Sequence, residues 1–400
     1  MKSFLKYTLA TITGIAILSL VSIFIFIGIA SALMSTTQKE VVIKDKSVLL
    51  LKLDAAIVDR APNDPFQDLE IPGLSGAKKL GIDDILDAID KAKTDDKIKG
   101  IYIRTENIGA GFSSCEEIRR ALADFKTESG KFIYAYSENY SQKTYYVASV
   151  ADKVFINPEG MLMFHGIASM HEFYKEGLEK LGVEMQVIRH GKFKAAVEPF
   201  MLDKMSDENR KQVETYIGSI WNNVIDDIAQ SRGVSAEELN NIADLNMSYR
   251  PAKEYLAYNL VDSILYEDQV LDFLREKTET KPNKEINAAT VADMKTVVKT
   301  RKEKGLAKDK IAVIYAAGEI AMSGGGSFSS EGIVGADLAR EIRKARIDST
   351  IKAIVFRINS PGGSALASEL IWREVKLAAE EKHVVVSMGE LAASGGYYIA

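Results

Sequence analysis

The feature that most constrains the fold of this chain is an internal repeat. Residues 82–104 read IDDILDAIDKAKTDDKIKGIYIR, and residues 335–357 read GADLAREIRKARIDSTIKAIVFR. Aligned without a gap, the two segments share nine identical residues, and the last of them pairs Arg104 with Arg357. A segment that recurs in this way indicates one structural unit written twice, so the fold of one copy predicts the fold of the other.

Each copy follows the same predicted order of elements. Apolar strands alternate with amphipathic helices, which is typical of parallel strands joined by helical crossovers and so of an α/β fold. The predicted strands are 47–53, 100–104 and 132–136 in the first copy, and 310–316, 353–358 and 384–387 in the second.

The repeat also sets the predicted domain boundaries. We expect an N-terminal anchor with its flanks over 1–46, a first α/β domain over 47–274, a linker over 275–309 and the start of a second α/β domain over 310–400. The linker is rich in Lys, Glu, Thr and Asn, which predicts a solvated linker or a peripheral helix. By analogy with the first copy, we expect the second domain to be truncated in this sequence.

The N-terminal segment is uncharged and apolar from Tyr7 to Met34. A run of about 20 apolar residues is long enough to cross the hydrocarbon layer of a membrane as a helix. Lys2 and Lys6 precede it and favour a cytoplasmic N-terminus. A cleaved signal peptide is the alternative, since Ala30-Ser31-Ala32 has the small-x-small form of a cleavage site, but the apolar run is longer than such peptides usually carry. An uncleaved anchor is therefore preferred.

Composition excludes several classes of function. The chain has one cysteine, four histidines and a net charge of −5. An intramolecular disulfide is impossible, no cluster of zinc ligands is present, and there is no basic stretch that would suggest nucleic acid as a partner. We expect no metal and no cofactor.

A glycine-rich turn in the second copy is the first candidate site. Asn359-Ser360-Pro361-Gly362-Gly363-Ser364 follows a predicted strand and precedes a predicted helix. Backbone N–H groups left free in such a turn can stabilise an oxyanion. A plain strand-to-helix turn is the ordinary alternative, and a phosphate-binding loop is disfavoured because no Gly-Lys-Ser/Thr follows.

A second turn supplies a candidate nucleophile. In Ala392-Ala393-Ser394-Gly395-Gly396-Tyr397-Tyr398, small residues flank Ser394 and would let a carbonyl substrate approach it. A helix N-cap is the alternative role for this serine. The first copy has Gln142 opposite Ser394 and no Pro-Gly-Gly, which favours chemistry in the second copy only.

A serine nucleophile needs a base, and the four histidines stand in no recognisable triad context. Lysine can serve where burial lowers the pKa of its ammonium group. Lys194 lies in an apolar local sequence, RHGKFKAAVEPF, and Lys192 lies two residues before it. Spacing alone does not show whether Lys192 or Lys194 would act as the base. Either lysine would ordinarily lie on the protein surface.

The two turns, the KFKAAVEPF segment, the duplication and the apolar N-terminus together resemble the long, duplicated signal peptide peptidases of peptidase family S49. The resemblance implies two tandem ClpP/crotonase-like α/β domains behind a transmembrane helix. It implies a Ser/Lys dyad in which Ser394 is the nucleophile and Lys194 the general base, with Gly362 and Gly363 at the oxyanion hole.

The resemblance also implies partners and a location. The substrates would be signal-peptide remnants and other apolar peptides, and the protein would be a tetramer-like homo-oligomer. It would lie in the bacterial inner membrane with the N-terminus in the cytoplasm and the catalytic domains on the periplasmic side. The alternatives are a catalytically inactive membrane scaffold and a crotonase-type acyl-CoA enzyme.

Overall fold

The computed structural model of the chain describes residues 2–36, 42–62, 79–297, 308–323 and 332–400. Its strands are β1 (Ser47–Leu51), β2 (Ala56–Val58), β3 (Lys79–Gly81), β4 (Ile98–Arg104), β5 (Phe132–Ser137), β6 (Lys153–Ile156), β7 (Ser263–Ile264), β8 (Ala288–Ala289), β9 (Lys310–Ala317), β10 (Glu319–Ala321), β11 (Gly332–Val334), β12 (Ile351–Ser360) and β13 (His383–Ala392).

The helices follow the same chain order. They are α1 (Lys2–Thr36), α2 (Ile82–Thr94), α3 (Phe112–Ser129), α4 (Gln142–Ala148), α5 (Lys175–Lys180), α6 (Glu198–Met201), α7 (Asp207–Arg232), α8 (Ala236–Asp244), α9 (Ala252–Ala257), α10 (Glu267–Lys277), α11 (Val291–Thr296), α12 (Gly335–Ile347), α13 (Ala365–Glu381) and α14 (Gly395–Tyr398). Short 3-10 turns occupy Ala195–Val197 and Met247–Tyr249.

Helix α1 contains the predicted apolar segment. Within it, Ser3–Ile25 is apolar and long enough to cross a membrane, and its side chains are exposed rather than packed on the rest of the chain. A membrane-spanning helix and a signal sequence share these properties.

The first unit is built on a parallel sheet with the strand order β7-β6-β5-β4-β1-β8. Its main core lies under α2 and α3, whose apolar faces bury residues such as Ile85, Ile89, Ile118 and Leu122 against the sheet. On the opposite face, α10 covers a smaller cluster that contains Val270 and Leu274. The sheet is thus covered on both faces, as a parallel sheet requires.

The second unit repeats the central part of that arrangement. Its described sheet has the order β13-β12-β9, and every pairing is parallel. Helices α12 and α13 pack on one face through buried Leu338, Ile342 and Ile371. A short parallel pair, β10-β11, precedes α12 just as β2-β3 precedes α2. The six predicted strands are therefore present, with ends that differ from their expected bounds by at most five residues.

Part of the segment predicted as a linker belongs to the first unit instead. Strand β8 pairs with β1, and Ala289, Val291 and Met294 are buried in the first core. The Lys91 ammonium also donates a hydrogen bond of 2.7 Å to the Met294 carbonyl. The polar composition of 275–309 concealed these few apolar positions, which are enough to hold a short strand and helix on the sheet. Residues 298–307 lie outside the described part of the chain.

Candidate active site

Ser394 lies in a sharp turn between β13 and α14. Its backbone has φ 50° and ψ −118°, a conformation that is costly for a residue with a Cβ. Although it occupies the N-cap position of α14, its side chain makes no capping hydrogen bond, and the residue is exposed. The structure thus favours a free hydroxyl over the N-cap interpretation.

The Pro-Gly-Gly turn follows β12 and depends on its two glycines. Gly362 has φ +94° and Gly363 has φ +149°, both in the region that favours glycine. The Ser360 hydroxyl donates to the Gly318 carbonyl at 2.6 Å and accepts the Gly362 N–H at 3.1 Å. The turn is therefore held from inside by a buried serine.

Strand β10 fixes the other side of this turn. The Ile320 N–H donates to the Gly362 carbonyl, and the Ser364 N–H donates to the Ile320 carbonyl, both at 2.8 Å. Ser364 is also the N-cap of α13, since its hydroxyl accepts the Ala367 N–H. The segment therefore also acts as an ordinary strand-to-helix turn.

The two glycine-rich turns are packed directly on each other. A Cβ placed on Gly362 would lie 2.9 Å from the Ser394 Cβ, and one placed on Gly395 would lie 3.3 Å from the Gly363 nitrogen. Within the described part of the chain, the N–H groups of Gly363 and Gly395 donate to no acceptor. Two unpaired N–H groups, those of exposed Gly363 and buried Gly395, therefore lie close to the turn that carries the exposed Ser394.

The predicted donors and the structure differ at one glycine. The resemblance implies Gly362 and Gly363 at the oxyanion hole, but the Ser360 hydroxyl already accepts the Gly362 N–H, and only the Gly363 N–H has no acceptor among the described residues. Gly395 was not named as a donor from the sequence. Its position directly after Ser394, at the start of a helix, is the signal that could have identified it.

Lys194 is not brought to Ser394 within this chain. It lies directly before the 3-10 turn Ala195–Val197, is exposed, and its ammonium forms no hydrogen bond or ion pair with any described residue. The expected apolar setting is absent, because Phe193 is also exposed. Lys192 is exposed too, and its ammonium lies 3.9 Å from a Glu208 carboxylate oxygen.

The segment that carries both lysines is anchored by Glu198, a residue whose role the sequence did not reveal. Its buried carboxylate accepts hydrogen bonds from the Ser206 N–H, the Ser206 hydroxyl and the Asn209 amide. Burial alone would raise the pKa of this carboxyl, but the hydrogen bonds from Ser206 and Asn209, together with Arg189, outweigh it and lower the pKa. Glu198 thus joins the lysine segment to the start of α7.

In the first unit, Gln142 is the residue that aligns with Ser394, and it has a structural role. The Gln142 side chain accepts the N–H groups of His165 and Gly166 and donates to the Gly166 carbonyl at 2.9 Å. The adjacent Ser141 is the N-cap of α4, accepting from Thr144. This turn therefore secures the backbone where the 165–204 segment begins.

The chain is similar to several known proteins. Residues 126–281 match the model of peptidase family S49. The chain is 38% identical to Protease 4 of Salmonella typhi over 89% of its length and 58% of the relative's, and 32% identical to Protease 4 of Haemophilus influenzae over 91% and 60%. It is also 32% identical to the chloroplastic serine protease SPPA of Arabidopsis thaliana over 90% and 51%.

The fold is α/β, and the relatives that the chain matches are proteases. The chain is thus similar to peptidase family S49 over residues 126–281. It spans between about half and three-fifths of the length of the curated relatives it matches.

Proposed function

We propose that this protein is a serine endopeptidase in which Ser394 is the nucleophile and Lys194 the general base. The observation that carries the proposal is the packing of the exposed Ser394 turn on the Pro-Gly-Gly turn, together with Gly363 and Gly395 N–H groups that have no acceptor among the described residues. A strained turn that exposes a serine beside unpaired N–H groups is the arrangement that acyl transfer needs.

The chemistry follows from these groups. Neutral Lys194 takes the proton of the Ser394 hydroxyl while the serine oxygen attacks the peptide carbonyl carbon. The oxyanion that forms accepts hydrogen bonds from the Gly363 and Gly395 N–H groups. The C–N bond then breaks, and the leaving amine takes a proton from the lysine ammonium. Water next attacks the acyl-serine ester, with Lys194 again as base, and releases the acid and the free serine.

The dyad requires Lys194 to move from solvent to Ser394. The segment that carries it exposes large apolar side chains, with Met170 at 94%, Leu181 at 77% and Ile188 at 98% exposure. Surfaces of this kind mark association sites. Assembly into a tetramer-like homo-oligomer would cover the segment and desolvate Lys194, as a lysine base requires.

The proposed substrates are signal-peptide remnants and other apolar peptides. A cleft of about 650 Å³ lies between the two units beside the Pro-Gly-Gly turn, and Ile57, Ile333 and Leu338 are among the residues that line it. The apolar part of this lining suits an apolar peptide, while Asp59, Arg60 and Glu341 add charged groups to the same walls. The N-terminal helix would place this site at the bacterial inner membrane, with its N-terminus cytoplasmic and the catalytic units periplasmic.

The two units are proposed to be tandem copies of one ClpP/crotonase-like domain. In support, the order β13-β12-β9 repeats β5-β4-β1, and the repeated sequence occupies equivalent elements in both units. In this arrangement the first domain supplies the base and the second supplies the nucleophile.

The proposal is tested by labelling the membrane-inserted chain with a serine-directed fluorophosphonate and by measuring cleavage of an apolar signal-peptide fragment. Labelling and cleavage should both disappear in Ser394→Ala. Both should persist in Ser349→Ala, which removes an exposed hydroxyl that is not part of the proposed site. Equal labelling of the Ser394→Ala protein would overturn the proposal. Cleavage of an acyl-CoA thioester in place of the peptide would support a crotonase-type enzyme.

A further inference from the structure

A carboxylate of the first unit reaches the strand that carries the Pro-Gly-Gly turn. Asp59, directly after β2, is only 6% exposed. Its Oδ1 accepts the Arg357 Nε–H at 2.7 Å, and its Oδ2 accepts the Asn359 amide N–H at 2.7 Å. Both partners are in β12, so one side chain of the first unit holds two positions of the second.

Asn359 links this contact to β13, the strand that leads to Ser394. While its amide nitrogen donates to Asp59, its amide oxygen accepts the Leu391 N–H at 3.2 Å. The parallel register of β12 and β13 is interrupted between Ile358 and Ser360, which is where this side chain takes the place of a ladder hydrogen bond. Asn359 is therefore a bridge between β12 and β13: it lies one residue before Ser360, and its partner Leu391 lies three residues before Ser394.

At this contact one cation of the second unit faces two carboxylates of the first. Arg357 is only 8% exposed, and besides Asp59 it donates to the Glu117 carboxylate at 2.7 Å and to the Ser387 hydroxyl at 2.9 Å. A buried ion pair in which both partners also form other hydrogen bonds is strongly disrupted when one partner is removed. The contact is thus a buried ion pair that holds the two units together, and not an exposed surface pair.

A separate contact holds β13 from the first unit. The Glu390 carboxylate accepts the Ser114 N–H at 3.0 Å at the start of α3. Glu390 precedes Leu391, the residue that Asn359 holds. The first unit therefore contacts both strands immediately before their catalytic turns.

We propose that Asp59 is a positioning residue for the peptidase reaction: through Asn359 it holds the oxyanion turn and the Ser394 turn at their working separation. This inference rests on the proposed function. It assigns to the first unit a direct influence on the oxyanion hole, in addition to its supply of the base.

The hydrogen-bond chemistry makes a specific prediction for Asp59→Asn. The oxygen of the new amide can still accept from Arg357, but its NH₂ group then faces the NH₂ group of Asn359, and two donors cannot pair. If the Asn359 amide flipped, its oxygen could accept from the new amide, but its NH₂ group would then face the Leu391 N–H, and two donors would again oppose each other. Adding Asn359→Asp restores one acceptor opposite each donor and returns a negative charge beside Arg357.

The experiment compares Asp59→Asn, Asn359→Ala and the double variant Asp59→Asn/Asn359→Asp in the full chain, with rates expressed per fluorophosphonate-titrated site. Each single variant should lower kcat about 10- to 100-fold with KM unchanged, because sub-ångström displacement of reacting groups has effects of this size. The double variant should recover most of that loss. A protein that merely folds less well would show fewer titratable sites with an unchanged kcat.

Asp262→Asn is the matched control, since Asp262 pairs with Arg232 at 2.9 Å wholly inside the first unit. It should leave kcat within about twofold of the parent, as expected for a residue that contacts no reacting group. An unchanged kcat in Asn359→Ala, or a double variant as slow as Asp59→Asn, would overturn the inference. If Ser394→Ala retained cleavage, the proposed function would fail instead, so the two failures are distinct.

Discussion

The backbone of Gly362 lies against the side chain of Ser394, so closely that a Cβ on the glycine would be 2.9 Å from the Ser394 Cβ. This contact joins the two turns that the sequence places more than thirty residues apart. It explains why both turns consist of small residues, and it makes Gly362 sensitive to the smallest possible substitution.

Gly362→Ala should lower kcat by about 100-fold or more while the protein stays folded, because the added methyl group would displace Ser394 from the oxyanion donors. The new residue would also be strained at φ +94°. Gly130→Ala is the matched control: Gly130 has φ +65° but open space around the position of its Cβ. That variant should be slightly destabilised and fully active. Equal kcat values in the two variants would contradict the role assigned to Gly362.

Ser394→Gly and Ser394→Ala should both be inactive but should differ in stability. At φ 50° and ψ −118°, a residue with a Cβ is strained and glycine is not. We expect the glycine variant to be more stable than the alanine variant by about 1 kcal/mol. Thermal unfolding of the two proteins side by side measures this difference, and equal midpoints would show that the serine turn stores no strain.

Lys194→Ala should reduce kcat by about 10²- to 10⁴-fold, the range expected when a general base is removed. Lys192→Ala is the control, since it removes a neighbouring exposed lysine from the same segment. Peptide cleavage by both variants should be measured from pH 6 to about 10, because activity that requires a neutral amine rises with pH. A greater loss in Lys192→Ala would reassign the base.

Glu198 should make the lysine segment sensitive to acid. Its pKa is lowered below the ordinary value of 4.5, so its contribution to stability is complete above pH 4.5 and is lost as pH falls through the lower, folded-state pKa. Glu198→Gln should lower stability at neutral pH by about 1–3 kcal/mol, the usual cost of disturbing hydrogen bonds to a buried charged group. Below pH 4.5 the variant should approach the parent.

Thermal midpoints between pH 3 and 7 test this expectation, with Glu237→Gln on the exposed side of α8 as the control. The control should follow the parent at every pH. A Glu198→Gln curve parallel to the parent curve would show that this carboxylate does not drive the acid response.

Periodic and repeated features of the sequence predicted most of the fold. The repeat located α2 and α12, with β4 and β12 after them, because apolar spacing alone distinguishes a helix from a strand in a parallel α/β unit. Ser206 and Ser235 are helix N-caps, and the side chain of each accepts the backbone N–H of the residue three positions later. The polar segment 275–309 was harder, since a two-residue strand and a six-residue helix leave too little periodicity to detect.

The sequence by itself determined the chemical groups available to this protein: one serine among small residues, a Pro-Gly-Gly turn and two neighbouring lysines. Tertiary structure decided how they are used. The free donors are Gly363 and Gly395 because Ser360 accepts the Gly362 N–H, and the turns meet because β12 and β13 are adjacent. Likewise, Asp59 is paired with Asn359 across 300 positions of chain. Hydrogen bonds between residues so distant in sequence leave no local pattern, so only the folded arrangement reveals them.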